Sequence, residues 1–386
     1  MIRVFLIVLI FSTGFYLNPI YSVLFGFGFI ILSFRNDLKF NYIDIAIFIY
    51  VIIISVLYLQ LNNVPVLKEI LRYVIGPFLF FFIGKADKSL YQNRERLLFF
   101  LFLLFSSFCL LTFFRDLDGN FTLNINETYY YNSRNELIQN KSHLEYDFLN
   151  ETNLSLLVLT CLFIGNALFE RRVIKFSVFI ILGLILIILS SRTAVAVLLI
   201  VLLYNFLKYD SKRTKLMKLL AASGLALFIF INISSIEIPY VNTFLYRLEN
   251  RSFAYGSTAY GLDERFIHYY NASVNSGIFN VKGYKYLLNT FGFSSHNELL
   301  GHTSAVGIFP ALFFIFILVN LIKRAFQNLQ LVNDLVMFKL LESLIIVYLI
   351  VGVTENIFIS NTIWFYFLML IIGIAWGINF EVKNNN

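Results

Sequence analysis

Apolar residues in this chain come in long runs, divided by short polar stretches in which Lys and Arg recur. Runs approaching ~20 residues without an alternating pattern read as membrane-crossing helices rather than strands. About twelve such helices are expected, at roughly 20 apolar residues per crossing. They lie near 3–17, 20–34, 42–61, 66–84, 97–114, 152–169, 173–190, 193–208, 216–236, 303–322, 339–358 and 362–380. The first two form a short hairpin turning at Asn18-Pro19. The expected fold is an all-α polytopic membrane protein, one integral membrane domain over 1–386.

The run over 173–209 sharpens this reading. Arg192 is its only charge between Lys175 and Lys208. As one helix the run would exceed ~50 Å, against a hydrocarbon core of about 30 Å. Basic residues flank both ends: Arg171, Arg172 and Lys175 before it, Lys208, Lys212, Arg213 and Lys215 after it. Basic clusters mark the cytoplasmic side. The run therefore goes out and returns, with Ser190-Ser191-Arg192-Thr193 as the turn and Arg192 at the outer face. A charge within a membrane span is costly, which makes Arg192 a functional candidate.

Composition agrees. The 386 residues are 59% hydrophobic and 14% charged, with mean hydropathy +0.76, outside the range of soluble domains. The net charge of +7 need not mean nucleic acid. Its Lys and Arg concentrate in the short loops assigned inside, which places both termini in the cytoplasm. Cys109 and Cys161 each sit in an apolar run and read as packing residues. The N-terminal apolar stretch reads as a retained span rather than a cleaved signal.

Two outer segments are long, 115–151 and 237–302, and long loops in compact folds tend to be functional. In the second, Leu262, Phe266, Tyr269, Tyr270, Val274 and Ile278 recur at helical spacing. An amphipathic helix at the interface is expected there, with Arg265, His268 and Tyr269 on one side. Locally, Arg265 pairing with Asp263 or Glu264 is the simpler account. Further on, Ser294 or Ser295 is the expected helix cap, with Glu298 completing a capping box after Ser295. His296 then falls in the first turn, where a neutral imidazole is favoured and can accept a hydroxyl proton. A polar interface role is its alternative, and His302 has the weaker claim. Ser304, Gly307 and Ala311 form a small-residue stripe for close packing.

In the fourth run, Lys68 and Arg72 stand four residues apart near the outer surface, with Glu355 a counter-ion candidate. Charges thus gather at the outer leaflet and leave the midplane nearly empty. A transporter keeps ionisable groups near the midplane. An enzyme acting on a lipid-linked anion keeps cations at headgroup level, and Arg suits phosphate oxygens. Asp116 and Asp118 form a D-x-D, better read as a solvated turn than as a metal site. No nucleotide-binding motif or Cys/His cluster occurs in the sequence.

Together, Ser191-Arg192-Thr193-Ala194 opening a run, Arg265 in an outer-loop helix ending near Gly277-Ile278-Phe279, and His296-Asn297-Glu298-Leu299 followed by Gly307-Ile308 resemble the O-antigen polymerase and O-antigen ligase superfamily. The resemblance covers most of the chain by topology, including a large outer loop before the last three helices. It departs after Phe279, where the family often has a glycine-rich segment and this chain has Asn280 to Tyr284 with only Gly283.

The resemblance implies a GT-C-like bacterial inner-membrane glycosyltransferase with its active site facing the periplasm. The implied transfer is inverting and metal-independent, needs no cofactor, and uses an undecaprenyl-pyrophosphate-linked glycan donor. Arg192 and Arg265 would hold the donor pyrophosphate, and His296 would position or deprotonate the acceptor hydroxyl. Lys68, Arg72, His268, Asn297, Glu298 and Glu355 are the expected substrate contacts. Polymerase and ligase differ in acceptor: another lipid-linked glycan, or lipid A–core. The reading leans to a polymerase of O-antigen or a related surface polysaccharide, with membrane lipids and a chain-length regulator as partners and no nucleic acid. A lipid or sugar transporter is the alternative from another class.

Overall fold

The computed structural model describes residues 2–16, 18–33, 41–59, 61, 66–116, 151–188, 192–209, 277–279, 282–283, 297–354 and 362–378. Regular structure among the described residues is entirely helical. In chain order the helices are α1 (Ile2–Tyr16), α2 (Pro19–Ser33), α3 (Tyr42–Tyr58), α4 (Val66–Glu69), α5 (Gly76–Ala86), α6 (Lys88–Gln92) and α7 (Arg94–Asp116). They continue with α8 (Glu151–Leu168), α9 (Arg172–Ile188), α10 (Arg192–Tyr209), α11 (Glu298–Val306), α12 (Ile308–Leu331), α13 (Leu335–Thr354) and α14 (Thr362–Gly377). A π turn, Ile70–Ile75, joins α4 to α5.

Every expected run except 216–236 falls on a helix, and that one lies outside the described residues. The run over 173–209 is divided into α9 and α10, and Arg192 is the first residue of α10. Among the described residues, two helices are long and apolar enough to cross a membrane: α12, and α13 over Leu335–Gly352. The shorter apolar helices are 10–17 residues long.

Helix α14 is apolar on every side, and all its residues from Thr362 to Gly377 are buried. A helix hydrophobic all round belongs in the interior of a bundle, and α5, α12, α13 and α1 pack around this one. Its approach to α5 is a backbone contact. A Cβ on Gly373 would lie 2.1 Å from the Phe81 carbonyl oxygen, and one on Gly84 would lie 2.4 Å from the Leu370 carbonyl oxygen. Small residues are what allow helices in an apolar medium to come this close.

The expected helix over 303–322 is broken. Gly307 adopts φ 94° and ψ 163°, a conformation that glycine reaches without a Cβ clash. The last turn of α11 and the first of α12 would leave backbone groups unmatched there. A returning strap satisfies them. Ile308 N donates to Gly277 O (2.8 Å) and Phe309 N to Ile278 O (3.2 Å), while Lys282 N (2.9 Å) and Gly283 N (3.0 Å) both donate to Ala305 O. The stripe of Ser304, Gly307 and Ala311 therefore spans two helices rather than lining one.

The cap of α11 is also not the expected one. Asn297 is the N-cap, and its side chain accepts from Leu300 N at 3.0 Å. Residues 298–302, assigned to the outer loop, are already helical. Ser294 and Ser295 lie outside the described residues. At the other end of α12, Asn333 takes a left-handed φ of 55°, and Asp334 Oδ1 caps α13 by accepting from Met337 N (3.1 Å).

A Gly373→Ala variant tests the α5–α14 contact. It should lower stability by about 1–3 kcal/mol, the usual cost of overpacking, read as earlier thermal unfolding of the detergent-solubilised protein. Unchanged unfolding would mean that the two backbones are not in contact.

Candidate functional site

The two ends of the bundle handle charge differently. At one end lie the start of α3, the end of α5, α6, the start of α7 and the α12–α13 turn. Arg3 pairs there with Asp87 (2.9 Å), Arg94 with Asp334 (2.8 Å), and buried Lys85 with buried Asp44. The end of α10 adds Lys208 with Glu342. All four of these pairs join described residues at this end. These four pairs tie helix ends together and read as structural.

The opposite end centres on Arg72, in the π turn. Its residue is 3% exposed. Its Nε donates to Thr362 Oγ1 at 3.0 Å, and its guanidinium carbon sits 5.0 Å from the Tyr73 ring centroid. Among the described residues no carboxylate pairs with it. The π turn shifts hydrogen bonding to i→i+5, as in Gly76 N to Leu71 O. The Arg72 carbonyl accepts from the Tyr366 hydroxyl at 2.6 Å. The π turn and α14 are thereby locked together. π turns recur where a helix gives up regularity for function.

Thr362 is the first residue of α14. The guanidinium therefore faces a helix N-terminus, where backbone amides add positive potential. Arg72 uses only its Nε on Thr362 among the described residues, leaving its two Nη groups as donors. Cation and helix end together suit an anion with several oxygens, above all phosphate. One turn before Arg72, buried Glu69 accepts from the Tyr58 hydroxyl at 3.2 Å.

Helix α11 supplies the second polar group of this end. Glu298 is buried with its Cβ against Gly352 of α13. Its Oε1 is 3.2 Å from His302 Nε2, within ion-pair range but off the line of a hydrogen bond. The His302 ring stacks on Phe314, with centroids 4.6 Å apart. Phe314 also touches Phe365 of α14, so His302 and the Thr362 turn share one aromatic cluster.

Of the expected site residues, Arg72 and Glu298 are at this end and buried. Lys68 is half-buried in α4, and Asn297 is occupied in capping. Arg192 begins α10, which runs antiparallel to α13: Tyr204 bonds Glu342 near the far ends of both helices (2.6 Å). That register places the start of α10 beside the end of α13, at the Arg72 end. Arg265, His268, His296 and Glu355 lie outside the described residues. The strap at Gly277–Phe279, twelve residues after Arg265, and the cap at Asn297, one after His296, are fixed to α11 and α12. Thr362, Tyr366, Tyr58 and Glu69 were not expected. Only the polar start of the last apolar run hints at Thr362.

Asp116 is the last residue of α7, and Asp118 lies outside the described residues. Among the described residues no group of three His, Cys, Asp or Glu could hold a metal. No known protein family and no curated protein matches this sequence.

The contrast between the ends can be measured. Arg72→Met removes a buried charge with no described counter-ion and should leave unfolding temperature unchanged or higher, whereas Lys85→Met strands Asp44 and should cost about 3–5 kcal/mol. Equal losses in the two variants would show that Arg72 serves the fold.

Proposed function

We propose that this chain is a polytopic membrane glycosyltransferase that joins undecaprenyl-pyrophosphate-linked repeat units at the periplasmic face of a bacterial inner membrane. On this reading both termini are cytoplasmic, the ion-paired end faces the cytoplasm and the Arg72 end faces out. The outer surfaces of the helices support the membrane setting. Phe5, Ile31, Ile52, Leu184, Leu203 and Leu349 all point outward, as lipid-facing residues do. The shorter helices are the remaining spans, tilted little or meeting a locally thinned bilayer.

The observation that carries the enzymatic reading is Arg72. It is a buried guanidinium with neutral partners, beside a helix N-terminus, in a protein that gives Arg3, Lys85, Arg94 and Lys208 of its other end a carboxylate each. A pyrophosphate is the partner that its chemistry fits. In the proposed reaction the acceptor hydroxyl attacks the anomeric carbon of the donor. The bond from that carbon to the pyrophosphate oxygen breaks, with inversion. The hydroxyl proton passes to a base, for which His296 is proposed. Negative charge grows on the departing pyrophosphate, and Arg72, Arg192 and Arg265 stabilise it as fixed cations.

In cells, Arg72→Met, Arg192→Ala, Arg265→Ala and His296→Ala should each abolish long polysaccharide chains while the protein still accumulates in the membrane. Arg72→Lys should restore little, because the ammonium lacks the planar fork. Normal chain-length ladders in all the variants would remove the proposal. A deletion strain that accumulates finished polymer on its carrier lipid would instead indicate the ligase.

A further inference from the structure

The ion-paired end holds one cluster whose charges do not cancel. Glu342 of α13 accepts from the Tyr204 hydroxyl (2.6 Å) and the Tyr209 hydroxyl (2.5 Å) and pairs with Lys208. Its charge is therefore fully used. A second ammonium stands beside it: Lys339 Nζ lies 4.3 Å from the centroid of the Tyr209 ring. Among the described residues no carboxylate pairs with Lys339. Two cations against one carboxylate leave the cluster one positive charge in excess. The other three pairs of this end are matched one to one.

The surroundings are amphipathic. Lys208 is 40% exposed at its side chain and sits over the rings of Tyr204, Tyr209 and Phe338. Leu199, Leu203 and Leu207 precede it along α10 at intervals of four and are all exposed, a strip on one helix face. A ligand that matches both parts carries one negative charge at its head and a long apolar chain. We infer that the ends of α10 and α13 form a binding site for an anionic phospholipid. Its phosphodiester meets Lys208 and Lys339 beside Tyr209, and an acyl chain lies along the leucine strip. Basic groups between helices at the cytoplasmic level are suited to such headgroups, and Tyr rings suit the boundary between headgroup and chain.

The inference rests on the membrane setting proposed above but not on the glycosyl transfer. The full chain is reconstituted into phosphatidylcholine vesicles with and without phosphatidylglycerol, re-extracted gently, and its retained lipids are counted by native mass spectrometry. The wild type should retain phosphatidylglycerol in preference to phosphatidylcholine. Lys339→Gln should cut that preference about fivefold, the effect of one surface Lys, and Lys339→Arg should keep it. Inorganic phosphate should not displace the lipid. Equal retention of the two lipids, or an unchanged preference in Lys339→Gln, overturns the site while leaving the membrane setting intact. Failure of the chain to enter either vesicle overturns both.

Discussion

The backbone contact between α5 and α14 is the constraint on which the candidate site depends. Gly84 and Gly373 let the two helices meet without side chains between them. That approach is what brings Thr362 under Arg72 and the Tyr366 hydroxyl onto the Arg72 carbonyl. The stacked Phe80 and Tyr366 rings, 4.7 Å apart, hold the same register further along. A shift of one helix along the other would break all three at once. The π turn is then understandable. It adds slack to the helix at the position where Arg72 must reach the start of α14.

Charge is distributed by the same economy. Buried ions are tolerated where a partner is built in, and Lys85 with Asp44 is the deepest instance. Asp44 also closes the capping box of α3 with Asn41, so one carboxylate serves a helix end and a helix pair. Arg72 lacks such a partner among the described residues, and the neighbouring helix end does nothing to neutralise it. A group left in this condition is easier to explain by a ligand than by stability.

Much of the helical layout was legible in the sequence because apolar runs and basic loops are strong signals. The division of 173–209 into two helices followed from length and flanking charge alone. Which face of each helix is buried was not legible, since Leu, Ile and Phe line both. The break at Gly307 was hidden because glycine also serves close packing, and the strap that selects the break comes from Gly277, Ile278, Lys282 and Gly283. Ser294, Ser295 and Asn297 could each have capped α11. Only the position of the helix relative to α13, where Glu298 meets Gly352, decides among them. Arg72 was found as a cation within an apolar run. Its partners on α14 could not be, because nothing local connects residues 290 positions apart.

The length of α14 has its own consequence. Sixteen residues rise only about 24 Å, short of a hydrocarbon core of about 30 Å. In a bilayer the start of this helix would lie below the headgroups, beside the longer α12 and α13. Arg72 and the first amides of α14 would then act at depth, where the effective dielectric constant is lower than at the surface and the same charges exert a stronger pull. An anion drawn to that depth would leave most of its water behind.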